Sequence, residues 1–382
     1  MKRLFILVLS VLLVAAVSFT VGAADKYEQY VASLPAGYQP VPMDCFKQAM
    51  KEGQVNIYDW AEWWPEEMYE NYSREFGIKI VRDNYASYDE LVTKYRLNPK
   101  AGYDFLLPDP VAFKQLQALG VVLKLNHNWI PNVNKYLNEG IKKLQFDPGY
   151  KHGVLTYTSL NGYAIDTKYV DENDPRHGSW AFIFDAPGDL KDHGRLVLKD
   201  NMFQVIGTAL KYLGYSYNSD NEGELAKAKE LLLKVKPWVL AYDGWPKRMI
   251  LEQETWVTAP FSTGDYLKLA DDVPTLKVFL AKEGTVMRGA LMTIPKSAPH
   301  PAAAHLWLNF VFRPDVNLAL CGRTGRIPTH TEVGDKLPEK VRKWPGVETP
   351  PGYMNKCELP APSSYTGKGL EIRAAIWEDL KR

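Results

Sequence analysis

The sequence has 382 residues, and its 46 lysines and arginines nearly balance its 45 aspartates and glutamates, which leaves a formal charge of +1. It contains no basic stripe and no run of like charges, so nucleic acid is a poor candidate partner. The length exceeds one ordinary core and indicates two domains. Aromatic residues make up 12% of the chain and cluster near predicted loops, which favours recognition of a carbohydrate, a cation or a ring.

The chain begins with a pattern typical of exported proteins. Two basic residues precede an apolar run over residues 4–21, and small residues follow that run. This pattern predicts a signal peptide over residues 1–24, cleaved after Ala23 or Ala24. The run is also just long enough for a retained membrane anchor, but the small-residue site and the polar remainder favour cleavage. We therefore expect a soluble protein in the periplasm.

A predicted strand, loop and helix near the start carry the densest group of aromatic side chains. Residues 54–58 alternate between polar and apolar, which predicts a half-buried strand, and Pro65 then opens a helix. The loop between them contains one carboxylate and three tryptophans: Glu62, Trp60, Trp63 and Trp64. Because α/β proteins place ligands at the carboxyl ends of strands, we expect a ligand site here. The alternative for each tryptophan is packing under the loop.

The rest of the chain alternates between predicted strands and helices. The first block comprises strands and helices over residues 77–82, 87–95, 103–108 and 112–119, and Ser87, with Glu90 three residues on, is predicted to cap its helix. A long β segment over residues 150–165 is predicted to cross into a second block. That block and the tail comprise strands and helices over residues 196–200, 202–213, 224–235, 255–259, 285–294, 301–312 and 370–380. This order predicts parallel strand pairing.

Motifs of common catalytic sites are absent from the sequence. It contains neither Gly-x-Ser-x-Gly nor His-Glu-x-x-His, and neither a phosphate-binding nor a dinucleotide-binding glycine pattern. The histidines share no metal-ligand spacing, and Cys45, Cys321 and Cys357 are too widely spaced for a zinc site. One cysteine pair could bridge in an oxidising compartment, but the sequence does not identify it. We expect no enzyme activity, no cofactor and no metal.

Several motifs resemble those of the bacterial spermidine/putrescine-binding proteins, and they occur in the family's order. Residues 103–108 read Tyr-Asp-Phe-Leu-Leu-Pro, and residues 308–316 read Leu-Asn-Phe-Val-Phe-Arg-Pro-Asp-Val. The other matching segments lie at residues 55–63, 194–200, 205–216, 282–295 and 325–328. Together they cover nearly all of the chain that follows the predicted signal peptide.

The resemblance implies the α/β fold of the type II periplasmic binding proteins. Each of two lobes has a central, mostly parallel sheet flanked by helices, and a ligand cleft lies between the lobes. The implied divisions are a first lobe, a second lobe, a return to the first lobe, and C-terminal helices that pack on the second lobe: residues 25–154, 155–287, 288–330 and 331–382. The family closes on a small-molecule solute by hinge bending and delivers it to the membrane permease of an ABC importer. We expect a monomer.

The family's ligand positions can be carried over one at a time. They fall on Trp60, Trp63, Asp109, Asn201, Gln204, Phe261, Arg288, Ala290 and Arg326, with Glu62 as a further acid in the first loop. In the family, the positions of Asn201 and Gln204 are carboxylates that hold an amine. Arg288, Ala290 and Arg326 stand where the family has a tryptophan, an aspartate and a tyrosine.

These exchanges remove three carboxylates and add two guanidinium groups. A diammonium ligand in a closed cleft needs carboxylates, because a buried unpaired cation is costly, whereas arginine suits carboxylate or phosphate groups. We therefore expect a ligand with an anionic group, such as a zwitterion whose amine lies near Asp109 and Glu62. The two arginines could instead point away from the cleft or pair with these acids.

Two other classes of function stay open. A genuine polyamine receptor would use Trp60, Glu62, Trp63 and Asp109, with cation–π contacts to the tryptophans. An inorganic-ion receptor or an enzyme on the same fold is the third class. Ferric receptors of this architecture use neighbouring tyrosines, and none follows Arg326.

Overall fold

The computed structural model describes residues 23–35, 37–61, 64–144, 146–185 and 195–382. Residues 1–22 of the predicted signal peptide, and the predicted site residues Glu62 and Trp63, lie outside the described residues. Within those ranges, none of the helices is both long enough and apolar enough to span a bilayer.

The described strands form one continuous sheet that is shared by two lobes. In chain order they are β1 Gln54–Trp60, β2 Lys79–Tyr85, β3 Phe105–Leu106, β4 Gly153–Asp166, β5 Leu196–Lys199, β6 Val239–Asp243, β7 Val257–Ser262, β8 Leu276–Phe279, β9 Met287–Thr293 and β10 Ile327–Pro328. The spatial order is β2-β1-β3-β9-β4-β7-β5-β6, and β8 and β10 also pair with β4.

Helices flank this sheet. In chain order they are α1 Ala23–Ser33, α2 Met43–Glu52, α3 Glu66–Phe76, α4 Tyr88–Leu97, α5 Pro110–Ala118, α6 Pro131–Tyr136, α7 Glu139–Lys142, α8 Ala181–Phe184, α9 Met202–Tyr212, α10 Glu222–Val235, α11 Lys247–Leu251, α12 Thr263–Leu267, α13 Pro301–Val311, α14 Pro314–Thr324, α15 Glu339–Arg342, α16 Pro362–Tyr365 and α17 Gly367–Lys381. Short 3-10 helices occupy His127–Trp129, Lys236–Trp238, Gly334–Lys336 and Tyr353–Lys356.

The first lobe is built on β1, which pairs in parallel with β2 on one side and β3 on the other. Val55 and Ile57 of β1 are fully buried, as their alternation with polar residues predicts. The serine cap predicted for the next helix is also confirmed, because the side chain of Ser87 accepts a hydrogen bond from the Glu90 amide at the start of α4.

The second lobe is built on β5, which pairs in parallel with β6 and β7. Its core is a separate cluster that includes Tyr163, Trp180, Leu198 and Ile206. Parallel pairs therefore dominate the outer part of each lobe, while antiparallel pairs join the lobes through β4. This arrangement confirms the predicted α/β fold class.

Strand β4 is the segment that joins the two lobes. Its residues 153–160 pair with β9 in the first-lobe part of the sheet, and residues 161–166 pair with β7 and β8 in the second-lobe part. The partner strands change between Leu160 and Asn161. The predicted lobe boundaries, at residue 154 and at Arg288, remain predictions.

The C-terminal region contacts both cores. Val333 and Val341 belong to the main cluster of the first lobe. Ile376 and Leu380 on α17 belong to the cluster of the second lobe, where the helix packs against α9 and α10. The tail after β10 thus returns from the first lobe to the second.

All three cysteines are free thiols in the structure. Cys45 and Cys321 are buried, and burial raises the pKa of Cys321 to about 12, which makes it an inert packing residue. Cys357 is half-buried near the C-terminus. No group of metal-ligating side chains large enough to hold an ion occurs among the described residues.

Candidate ligand-binding site

The candidate site lies where the lobes meet, around residues 158–161 of β4. Arg288 on β9 and Ser262 at the end of β7 are paired with this stretch, and Arg326 directly precedes β10, which pairs with it as well. Residues that are far apart in the sequence therefore come together at the junction. This is the location in which a two-lobed receptor would hold a solute.

Arg326 is already engaged within the protein. One of its terminal nitrogens lies 2.7 Å from Oδ1 of Asp265, and the other donates a hydrogen bond to Oγ of Ser262. Desolvation disfavours the ionised form of Asp265, but Arg326 holds the pKa of that carboxyl below its ordinary value. Pairing of this arginine within the protein was one of the sequence-based alternatives. The acid is Asp265, however, rather than Asp109.

Arg288, unlike Arg326, has no partner for its side chain among the described residues. Its side chain is half-buried at the start of β9, and no described residue forms a hydrogen bond or an ion pair with its guanidinium group. It nevertheless acts electrostatically on Asp109, Lys199 and Asp265, and its strand partner Ser159 lies in the stretch of β4 where the lobes meet. Its guanidinium group therefore has hydrogen-bond donors that no described residue uses.

Asp109 caps α5, and the charge of Arg288 acts on its carboxyl group. Its Oδ1 accepts a hydrogen bond of 2.8 Å from the amide of Ala112. Desolvation raises the pKa of Asp109 to about 6, against the opposing effects of that amide and of Arg288. Asp109 is half-buried, so part of the residue stays exposed to solvent. It is therefore a reachable acid whose charge is held in a poorly solvated place.

Lys199 is a site residue that the sequence analysis did not select. It ends β5, its Nζ donates a 2.9 Å hydrogen bond to the carbonyl of Gly244, and its Nζ lies 4.7 Å from the ring centre of Phe261. Desolvation, followed by repulsion from Arg288, lowers the pKa of Lys199 to about 7. Its place at the carboxyl end of a parallel strand is the signal that could have identified it.

Trp60 is half-buried at the end of β1, beside a tyrosine pair. Its ring centre lies 5.1 Å from that of Tyr85 and 5.3 Å from that of Tyr88, both in edge-on geometry. Asp109 and Arg288 both act electrostatically on Tyr88, which connects this aromatic group to the charged groups. Trp60 therefore belongs to a wall of the candidate site.

Trp64 is a core residue, as the alternative for the loop tryptophans predicted. It is 2% exposed and packs against Tyr69, Phe105 and Trp307. Its Nε1 donates a 3.4 Å hydrogen bond to the hydroxyl of Tyr157 on β4. Trp64, Phe105 and Trp307 all belong to the first-lobe core, and the hydrogen bond of Trp64 connects this core to β4.

The two amides that replace the family's carboxylates have internal hydrogen bonds. Asn201 caps α9, because its Oδ1 accepts a 3.0 Å hydrogen bond from the backbone amide of Gln204. Oε1 of Gln204 accepts a 2.7 Å hydrogen bond from Nδ2 of Asn161 on β4. These bonds fix the start of α9 against the crossing strand, while Asn201 stays half-buried.

Two other predicted positions are fully buried. Phe261 packs against Trp245 and Tyr266 and carries Lys199 above its ring. Ala290 lies in the first-lobe core. Neither side chain offers a polar group to a solute.

The described charges at the junction form one electrostatic group. Its main members are three cations and two acids: Arg288, Arg326, Lys199, Asp109 and Asp265. Asp89, Asp243 and Lys268 act on members of this group as well. The sequence analysis selected Arg288, Arg326 and Asp109. Asp265 was not among the selected residues, because its pairing with Arg326 depends on the tertiary fold.

Comparison with known proteins identifies relatives of this chain. A model of the bacterial extracellular solute-binding protein family matches residues 67–349. The putrescine-binding periplasmic protein SpuD of Pseudomonas aeruginosa is 29% identical over 332 residues, which cover 82% of this chain and 89% of that protein. The predicted resemblance to the spermidine/putrescine-binding proteins is therefore confirmed.

Solved structures show the same fold. The spermidine/putrescine substrate-binding protein of Streptococcus pneumoniae matches with a TM-score of 0.75 and 19% identity, over 86% of this chain and 98% of that chain. A binding protein of A. tumefaciens R10 in complex with agropinic acid matches with a TM-score of 0.65 and 17% identity, over 86% of this chain and 98% of that chain. At these identities the similarity establishes the fold alone.

Proposed function

Because the chain belongs to the family of bacterial extracellular solute-binding proteins, we propose that it is the receptor that delivers a small organic solute to the membrane permease of an ABC importer. The proposed compartment is the periplasm, since the related putrescine-binding protein is periplasmic. The two lobes close around the solute by bending at the segments that join them. The relatives are binding proteins rather than enzymes, and the proposal includes no catalytic step.

The proposed solute carries an anionic group that Arg288 binds. The observation that carries this proposal is the half-buried guanidinium group of Arg288, which has no hydrogen-bonding or ionic partner among the described residues. Enclosing such a cation without a counter-charge is costly, so closure of the lobes favours a ligand that supplies one. Guanidinium groups bind carboxylate and phosphate oxygens in bidentate geometry. Each such charge-assisted hydrogen bond contributes about 1.5–3 kcal/mol.

An amine on the same solute would lie at the Asp109 end of the cleft. The pKa of Asp109 is raised to about 6 by desolvation, so an ammonium group beside it would stabilise its charged form. Trp60 and Tyr88 line this end with aromatic rings. Glu62 and Trp63 remain proposed contributors on the basis of the sequence. The preferred classes are amino-acid-like, aromatic-acid and phosphonate-like solutes.

Polyamine binding is the second candidate. It is favoured by the name of the 29%-identical relative and by the acid and the aromatic rings at the Trp60 end. A diamine in this cleft would meet Asp109 at one end. At the other end it would meet Arg288 and Lys199, which repel it.

Calorimetric titration of the purified protein distinguishes the two candidates. Putrescine and spermidine are titrated beside succinate, L-glutamate, benzoate and 2-aminoethylphosphonate. We expect one or more of the anionic or zwitterionic compounds to bind and both polyamines to give no binding heat. Tight polyamine binding, with a Kd near or below ~1 µM, and no anion binding would establish the second candidate.

A further inference from the structure

We propose that Lys199 is a second recognition residue for the solute's anionic group, which it contacts from the second lobe while Arg288 contacts it from β9, the strand that pairs with residues 153–160 of β4. This inference rests on the proposed function and makes it more specific. It requires an oxyanion, such as a carboxylate or a phosphonate, that presents oxygen atoms to two cations at once.

The position of Lys199 favours contact with a solute. It ends β5 immediately before the cap of α9, at the carboxyl end of parallel strands, where α/β proteins bind ligands. Its side chain is half-buried and therefore accessible. The ring of Phe261, which is itself fully buried, supports the ammonium group at 4.7 Å from the ring centre.

The hydrogen bonds of Lys199 leave donors for a ligand. An ammonium group has three N–H donors, and one of them serves the carbonyl of Gly244 at 2.9 Å. No carboxylate among the described residues forms an ion pair with Nζ. Lysines that only stabilise a fold at partly buried positions usually have such a partner, as Lys211 does with Glu358 at 3.0 Å in this chain.

The charges around Lys199 are arranged for an incoming anion. Arg288 and Arg326 repel its charge, whereas Asp265 and Asp243 attract it. Asp265 is already paired with Arg326, and Oδ1 of Asp243 accepts a hydrogen bond from the Trp245 amide. Lys199 and Arg288 are thus two mutually repelling cations, neither of which forms an ion pair with a described carboxylate, and an oxyanion between them would relieve their repulsion.

Binding of the anion should also change the protonation of Lys199. Its pKa is lowered to about 7, chiefly by desolvation and then by Arg288, so at pH 8 the free protein holds it mostly neutral. An oxyanion beside it raises the pKa of Lys199, so the complex takes up a proton. Proton uptake on binding is largest above pH 7, and the affinity of the protein for the anion falls as the pH rises further.

The test uses calorimetry at pH 8 in two buffers of different ionisation enthalpy, Tris and triethanolamine. The probes are succinate, L-glutamate, benzoate and 2-aminoethylphosphonate. The proteins are the wild type, Lys199→Met, Lys199→Arg and the control Lys234→Met, which alters an exposed lysine on α10. Lys199→Met keeps the aliphatic stem on Phe261, and Lys199→Arg keeps a charge that does not titrate in this range.

For each probe that binds the wild type, we expect at least ~10-fold weaker binding to Lys199→Met, because the variant loses one ionic contact with the anion. Lys199→Arg should keep affinity within ~3-fold yet lose the proton uptake, and Lys234→Met should match the wild type in both respects. A merely structural lysine would not give proton uptake that disappears in Lys199→Arg.

Two results would overturn the inference, and they are distinguishable. If the anions bind Lys199→Met as tightly as they bind the wild type, without proton uptake in either, the role of Lys199 is wrong and the proposed function stands. If none of the anions binds the wild type here, and putrescine binds it in the titrations proposed above, the proposed function itself fails, and this inference fails with it.

Discussion

Asp109 has a charge that its surroundings disfavour. Desolvation raises its pKa from 3.8 to about 6, although the Ala112 amide and the charge of Arg288 oppose the shift. Neutral asparagine caps a helix as well as aspartate does, so capping alone does not require this carboxyl group. A residue that costs stability where a neutral one would serve is typical of a binding site.

We predict that Asp109→Asn stabilises the protein at neutral pH. Because the folded-state pKa lies above the unfolded value, the folded state of the wild type holds more protons between pH 3.8 and about 6, so wild-type stability falls as pH rises through that window. The variant lacks this loss. Its free energy of unfolding at pH 7 should exceed that of the wild type by about 1–2 kcal/mol, a value reduced for solvent exposure.

Urea denaturation between pH 3.5 and pH 7 measures the effect. The two proteins should converge towards the acid end, where Asp109 is protonated in the folded state and mostly protonated in the unfolded state. Asp272→Asn, at an exposed position after α12, serves as the control and should stay within about 0.5 kcal/mol of the wild type. A variant that is less stable than the wild type at pH 7 would show that the charge of Asp109 stabilises the fold.

At the scale of residues, the sequence predicted part of the site. Trp60, Asp109, Arg288 and Arg326 were selected, and the structure brings the last three into one electrostatic group. Lys199 was missed because its significance depends on Arg288, which only the tertiary fold brings near. The partner of Arg326 could not be predicted for the same reason.

Arg326 links secondary-structure elements of the two lobes. It follows Gly325, which ends α14 with φ of 59°, and it binds Ser262 at the end of β7 and Asp265 on α12. Gly264 lets α12 approach this turn, because a Cβ there would lie 2.4 Å from the carbonyl oxygen of Thr324. The close approach and the ion pair together fix the second lobe against the β10 turn.

We predict that Arg326→Met destabilises the protein by about 2–4 kcal/mol, because it leaves Asp265 without its paired arginine at a poorly solvated position. Arg323→Met, in the last turn of α14 just before the turn that holds Arg326, is a matched control. Arg323 is exposed, pairs with the exposed Glu67, and should change stability by less than about 1 kcal/mol.

Chemical denaturation of both variants at pH 7 provides the comparison. Equal effects of the two substitutions would contradict the assignment of Arg326 to a structural link between the lobes.

At the scale of elements, prediction succeeded where the local signal was strong. The alternation in β1, the cap of α4, and the long apolar segment of β4 each identified their element. β6 and β8 were not predicted, because they are short and their burial shows no clean alternation. β3 is confined to Phe105–Leu106 because only these residues pair with β1.

The whole molecule is two lobes joined along β4, with the candidate site at the joint. The order of the motifs was sufficient to predict the fold, because each motif marks an element of a shared architecture. The solute was not predictable in the same way. Its class depends on which charges remain unpaired once the lobes meet, and residues from β5, β9 and the β10 turn together decide that.

The most direct test is a thermal-shift screen of the wild type, Arg288→Gln and the control Arg323→Gln. Each protein is heated with succinate, L-glutamate, benzoate, 2-aminoethylphosphonate, putrescine or spermidine at millimolar concentration. A ligand that binds only the folded state raises the melting midpoint, by about 2.7 kcal/mol of added stability at 100 times its Kd. We predict shifts with one or more anionic or zwitterionic compounds in the wild type and in Arg323→Gln, and their loss in Arg288→Gln. Shifts with the polyamines alone, unchanged in Arg288→Gln, would contradict an anion site built around Arg288.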